Sequence, residues 1–219
     1  MRHDPGGHME QTKLSTGAIL AGAARHFAAH RMLVFLTLVG LFLASLFNIR
    51  ILSIAILSYA QFELTYEILA DEDLMPGGYG KRRFFSVFAL QLITLVVFAI
   101  GWILLFVPGV YLMLRLCLSV PALIAEEASV IEALVISWRR TARQELALLG
   151  AVTAAMVPTL ISWTCMIAFA RMGWMGATVI TVLVAVVVTG LTLIFCWCIA
   201  AAAYAETCGT TRNLEEVFA

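Results

Sequence analysis

The stretch from Ala177 to Ala205, ATVITVLVAVVVTGLTLIFCWCIAAAAYA, holds no charged residue. It exceeds the roughly 20 apolar residues that a helix needs to cross a bilayer, and it reads as a membrane span. Gly173 and Gly176 mark a turn before it, and Leu146 to Ala170, with Pro158 inside, gives a second span. Four more apolar runs lie upstream: Met32 to Phe47, Ile51 to Leu69, Phe84 to Val107 and Val110 to Ala125, with a tight reversal expected at Pro108-Gly109 between the last two and a kink at Pro121 within the last. The fold expected is all-α, a polytopic transmembrane helical bundle of six spans (about 32–47, 51–69, 84–107, 110–125, 146–170 and 177–205) arranged as three hairpins. Residues 15–219 form a single domain behind a disordered polar lead over 1–14. The first run is short for a crossing. It pairs with the second about Asn48-Ile49-Arg50, so the downstream orientation is the same whether it crosses or enters partway.

Composition supports a lipid solvent. Of 219 residues 62% are hydrophobic and 13% charged, against roughly a quarter charged in a soluble domain. The net charge is zero, from 14 basic and 14 acidic residues, so no overall field points to nucleic acid. The five cysteines fall mostly inside apolar runs, without a CxxC pair, and read as packing residues. No cleaved signal peptide is expected, because Arg2, Lys13, Arg25 and Arg31 precede the first run and no small-residue cleavage site follows it.

The basic residues divide unequally across the six runs. One side holds Arg2, Lys13, Arg25, Arg31, Lys81, Arg82, Arg83, Arg139, Arg140, Arg143 and Arg212, and the other only Arg50 and Arg171. This bias places both termini in the cytoplasm of a multi-pass protein. Two amphipathic helices are expected on the same side, about 15–30 with Ser15 as its N-cap and 129–143 opening on a Ser129–Glu132 capping box. The first sets Ile19, Leu20, Ala24, Phe27 and Ala28 opposite Thr16, Arg25, His26 and His30. The second sets Ile131, Leu134, Val135, Trp138 and Ala142 opposite Glu132 and a basic face of Arg139, Arg140 and Arg143. A weak parallel repeat relates them, with Leu20, Arg25 and Ala28 aligned on Leu134, Arg139 and Ala142.

Ionisable groups inside a bilayer are costly unless paired or wetted, which singles out Glu63, Glu67 and Arg115. Glu63 and Glu67 share a helix face. In one reading Glu63 and Arg115 line a polar cavity for an ion, a proton or a headgroup. In the other, Glu67 reaches the cytoplasmic surface while Arg115 pairs with Glu63 or a backbone carbonyl and only holds helices together. His26 and His30, four apart, have a metal-ligand spacing but read as exposed interfacial histidines. All four histidines precede the first span, so no base or metal ligand of that kind lies in the membrane. No P-loop, GxSxG or Rossmann fingerprint occurs either. No catalytic residue, metal or cofactor is expected.

Between residues 108 and 138 the chain reads PGxYLxxRxxxxxP, then Glu126, then ALxxSW from Ala133. This pattern resembles the bacterial YciC-like inner-membrane family, and the membrane domain attached to some glycerophosphodiester phosphodiesterases, clearly over residues 101–145 and by layout elsewhere. The resemblance implies six spans in a bacterial inner membrane and marks Pro108, Gly109, Arg115, Pro121 and Glu126. The phosphodiesterase catalytic domain has no counterpart here, so that activity is not carried over. A lipid-related role follows only from domain association.

The function expected is therefore a non-enzymatic integral membrane protein that binds lipid or partner proteins, with small residues suited to a homo-oligomer and no nucleic-acid partner. The alternative is a channel or transporter for an ion or small amphiphile using Glu63, Glu67 and Arg115.

Overall fold

A computed structural model of the chain describes residues 15–46, 50–75, 84–104, 106–142 and 144–218. Among these residues the regular structure is entirely helical. Helix α1 (Thr16–Ala29) is capped by Ser15, whose hydroxyl accepts from the Ala18 amide at 3.1 Å. Helices α2 (Arg31–Leu46) and α3 (Arg50–Asp71) form the first hairpin. Helix α4 (Phe84–Leu104) is followed by α5 (Phe106–Leu116), α6 (Ser119–Ala125) and α7 (Val130–Thr141). The chain closes with α8 (Glu145–Arg171) and α9 (Met175–Phe218), two helices long and apolar enough to cross a membrane.

The core lies where α1, α3, α6 and α9 meet, with Ile19, Ile68, Leu123, Ile199 and Tyr204 fully enclosed. Large apolar side chains also cover the outside, among them Leu160, Ile161, Ile180 and Val184. So much exposed aliphatic surface on a water-soluble chain would drive association. Small residues bring backbones together: a Cβ on Gly22 would stand 3.3 Å from Ala202, and one on Gly190 would stand 3.0 Å from Leu38. The left-handed turn between α8 and α9 falls on Gly173 at φ +73°.

Two local expectations change. Pro108-Gly109 is not the reversal between the third and fourth runs, because both residues lie in the first helical turn of α5. Proline suits that place, since its missing N–H would have had no partner in a first turn. The glycine serves packing instead: Gly101 and Gly109 meet so closely that a Cβ on Gly101 would stand 2.9 Å from the Gly109 Cα. The run 110–125 is a broken helix rather than one kinked span, with the break at Cys117-Leu118. Pro121 cannot donate to the carbonyl four residues back, at Cys117, so the helix stops and restarts. Side chains take up part of the loss, as Cys117 Sγ reaches the Leu114 carbonyl (3.0 Å) and Ser119 Oγ donates to that of Leu116 (2.6 Å).

The amphipathic segments also differ in which face is covered. In α1 the buried face is Ile19, Gly22, Ala23 and His26, while Ala24 and Ala28 are exposed. In α7 it is Ala133, Ser137 and Thr141, leaving Ile131 73% and Trp138 42% exposed. Small residues win the inward positions because α5 and α6 pack close, and the large apolar side chains turn outward. The aligned pairs of the weak repeat do share their environments: Leu20 and Leu134 are half-buried, and Arg25 with Arg139, and Ala28 with Ala142, are exposed.

Candidate functional site

Between α2 and α3 runs a groove of about 770 Å³. Its walls are apolar, including Leu33, Leu36, Ile56 and Tyr59, and its polar lining includes Glu63, Glu67 and His30. The volume falls in the range of roughly 300–1,000 Å³ common for small-molecule pockets. Four-residue spacing on α3 puts both glutamates on the groove side, as the sequence implied. Gln61 turns away and accepts from Gln91 of α4 at 2.6 Å.

Helices α1 and α3 bring together a histidine–carboxylate cluster beside the groove. His30 Nδ1 lies 2.9 Å from Glu67 Oε2, and His30 Nε2 lies 3.3 Å from Asp71 Oδ2. His26 Nε2 lies 3.3 Å from Glu72 Oε1. His26 is not an exposed interfacial group: its residue is only 9% exposed. Burial, with help from Arg25 and His30, lowers its pKa below the usual histidine value against the pull of Glu72 and Asp71. Helix α1 packs its histidine face toward the end of α3, which the amphipathic reading had placed in water.

Arg115 is held elsewhere. Its Nε and Nη2 both donate to the Tyr111 hydroxyl (2.9 and 2.7 Å), Nη1 donates to the Trp138 carbonyl (3.2 Å), and Nη2 pairs with Glu145. The guanidinium carbon sits 5.0 Å and 5.1 Å from the Tyr111 and Trp138 ring centroids, within cation–π reach. Its own carbonyl accepts from Ser137 Oγ at 2.7 Å. Arg115 therefore does not pair with Glu63, and the two line separate cavities. Of the earlier alternatives for Arg115, the backbone-carbonyl contact that ties helices together is the one seen.

Glu126 and Arg140 meet in a third cluster. Glu126 Oε1 accepts from Arg140 Nη2 (2.6 Å) and from the Tyr204 hydroxyl (2.8 Å), while Arg140 also reaches Cys208 Sγ at 2.9 Å and lies 4.8 Å from the Tyr204 ring centroid. The proposed basic face is thus divided. Arg140 turns in to Glu126, Arg139 is exposed, and Arg143 lies outside the described residues. Pro108 and Pro121 act through backbone geometry.

Sequence reasoning passed over Tyr111, Glu145, Tyr204, Asp71 and Glu72. A usable signal existed for some of them: Tyr111 and Arg115, His26 and His30, and Glu67 and Asp71 are each four apart, which stacks them on one helix face. Nothing local could tell that the His pair and the Glu67–Asp71 pair would face each other. No protein-family model, curated protein or solved structure matches this chain.

Proposed function

We propose that the chain is a six-span, non-enzymatic protein of a bacterial inner membrane, with cytoplasmic termini, that binds an amine-bearing amphiphile in the α2–α3 groove. The groove carries this reading, because its apolar walls suit an acyl chain and its carboxylates at Glu63 and Glu67 suit a cationic headgroup. Two bilayer-length helices, the exposed aliphatic surface and the uneven distribution of basic residues support the membrane setting. Membership of the YciC-like family is part of the proposal and rests on the pattern PGxYLxxRxxxxxP, Glu126 and ALxxSW.

The test is native mass spectrometry of protein purified in mild detergent and presented with phosphatidylethanolamine or with phosphatidylglycerol. Retention should favour the amine lipid, weaken about tenfold in Glu63→Gln and disappear in Leu36→Trp, which fills the groove. Equal retention of both lipids by all three proteins overturns the assignment. Transport is the second reading, favoured by the carboxylates lining the groove. Reconstituted vesicles showing amine flux that Glu63→Ala abolishes would establish it over static binding.

A further inference from the structure

We infer that His26, His30 and Asp71 form a binding site for a first-row divalent metal ion such as Zn²⁺, with Glu67 orienting His30 and Glu72 beside His26. The inference goes beyond amphiphile binding and does not depend on it.

Three observations converge. Donor atoms of His26, His30 and Asp71 lie within 4.8 Å of one another. Zinc bonds to nitrogen at about 2.0–2.1 Å, which sets donors about 3.3 Å apart in a tetrahedron, so small side-chain rotations would close the cluster around an ion. The set of two imidazoles and a carboxylate suits zinc, iron, cobalt or nickel better than calcium or magnesium, which favour all-oxygen sites.

The second observation is the state of His30. Its Nδ1 is within hydrogen-bond reach of Glu67 Oε2, whereas its Nε2 is buried and makes no hydrogen bond, although Asp71 Oδ2 is 3.3 Å away. If Nδ1 carries the proton, Nε2 presents a bare lone pair to a carboxylate oxygen, and two acceptors face each other. An ion between them relieves that opposition. A carboxylate fixing the far nitrogen of a ligating histidine is the usual outer-shell arrangement of metal sites.

The third is placement. His26 and His30 are four apart on α1 and at its C-cap, and Glu67 and Asp71 are four apart on α3, so each pair is presented by a helical backbone rather than a loop. Arg25 and Glu206 are the further charged groups acting on this cluster. Arg25 acts on His26, and Glu206 lies within the field of Arg25 and Glu72.

The test uses the full chain in detergent with His3 and His8 replaced by alanine, leaving His26 and His30 as its histidines. After chelator treatment, Zn²⁺ is titrated by calorimetry and Co²⁺ by visible absorption. One ion should bind, with cobalt d–d bands and no thiolate charge-transfer band. Binding should be lost in His30→Ala and His26→Ala, and weaken about 10–100-fold in Glu67→Gln, the outer-shell change. His30→Gln and Asp71→Asn, near-isosteric replacements, guard against misfolding, and size-exclusion profiles should match the parent. Glu63→Gln should leave Zn²⁺ affinity unchanged while weakening lipid retention, which separates this site from the groove. Absence of binding to the parent protein, or binding unaltered in His26→Ala and His30→Gln, overturns the inference, as does a thiolate band.

Discussion

The guanidinium of Arg115 on α5 is ion-paired with Glu145 in the first turn of α8, while the same group donates to Tyr111 and to the carbonyl of Trp138. One side chain thus joins α5, α7 and α8 at a single point. Glu145 also lies where a helix N-terminus favours negative charge.

Arg115→Ala should destabilise the protein by about 2–3 kcal/mol, because it strips a hydrogen bond from a backbone carbonyl and removes a cation from two rings. The pair itself contributes less. With the Glu145 side chain 40% exposed and that of Arg115 11%, a double-mutant cycle should give a coupling on the order of 1 kcal/mol after solvent screening. Thermal unfolding in detergent reads both values. A cycle summing to zero would mean that the carboxylate is incidental.

Gly101→Ala and Gly176→Ala should separate sharply. The first sets a methyl group against the Gly109 backbone, which cannot swing aside as a side chain would, and should cost about 1–3 kcal/mol. The second meets nothing within 4 Å near the start of α9, and should be neutral or stabilising by up to about 1 kcal/mol. Equal melting temperatures for the two variants would refute the close α4–α5 approach.

Glu126→Ala should cost more than Tyr204→Phe. Losing the hydroxyl removes one bond to Glu126 and leaves the ring under Arg140, a change of about 0.5–1.5 kcal/mol. Losing the carboxylate removes the ion partner of Arg140, which keeps its contact with Cys208, and leaves the enclosed Tyr204 hydroxyl without its acceptor, about 1–3 kcal/mol. Chemical denaturation in mixed micelles gives the order, and a larger loss in Tyr204→Phe would contradict it.

Acid should loosen the start of α7 before the rest of the helix. The Ser129 amide donates to Glu132 Oε2 at 2.9 Å, and this bond together with the Ser129 hydroxyl holds the Glu132 carboxyl below its ordinary pKa. A carboxylate depressed in the folded state contributes stability above its unfolded pKa, and that contribution fades as pH falls through the folded value. Hydrogen-exchange protection at residues 130–133, taken relative to the intrinsic amide exchange rate at each pH, should fall on acidification, and Glu132→Gln should flatten the response. An unchanged pH profile in that variant would assign the effect to another group.

Periodicity and charge were enough to read much of this protein. The apolar runs, the serine caps at Ser15 and Ser129 and the shared face of Glu63 and Glu67 are properties of neighbours along the chain, and chain neighbours are what a sequence displays. Pro121 announced a disturbed helix for the same reason. Partnership was not legible, because it depends on which helices lie side by side and at what height. Tertiary packing took Arg115 to Glu145 rather than Glu63, and turned Arg140 from a basic surface toward Glu126. Packing also buried His26 against the end of α3, because the small residues Gly22 and Ala23 let α1 sit closer to its neighbours than larger side chains would allow. A four-residue interval puts two groups on one face, but only the meeting of two such faces makes a site, and that depends on contacts between residues far apart in the chain.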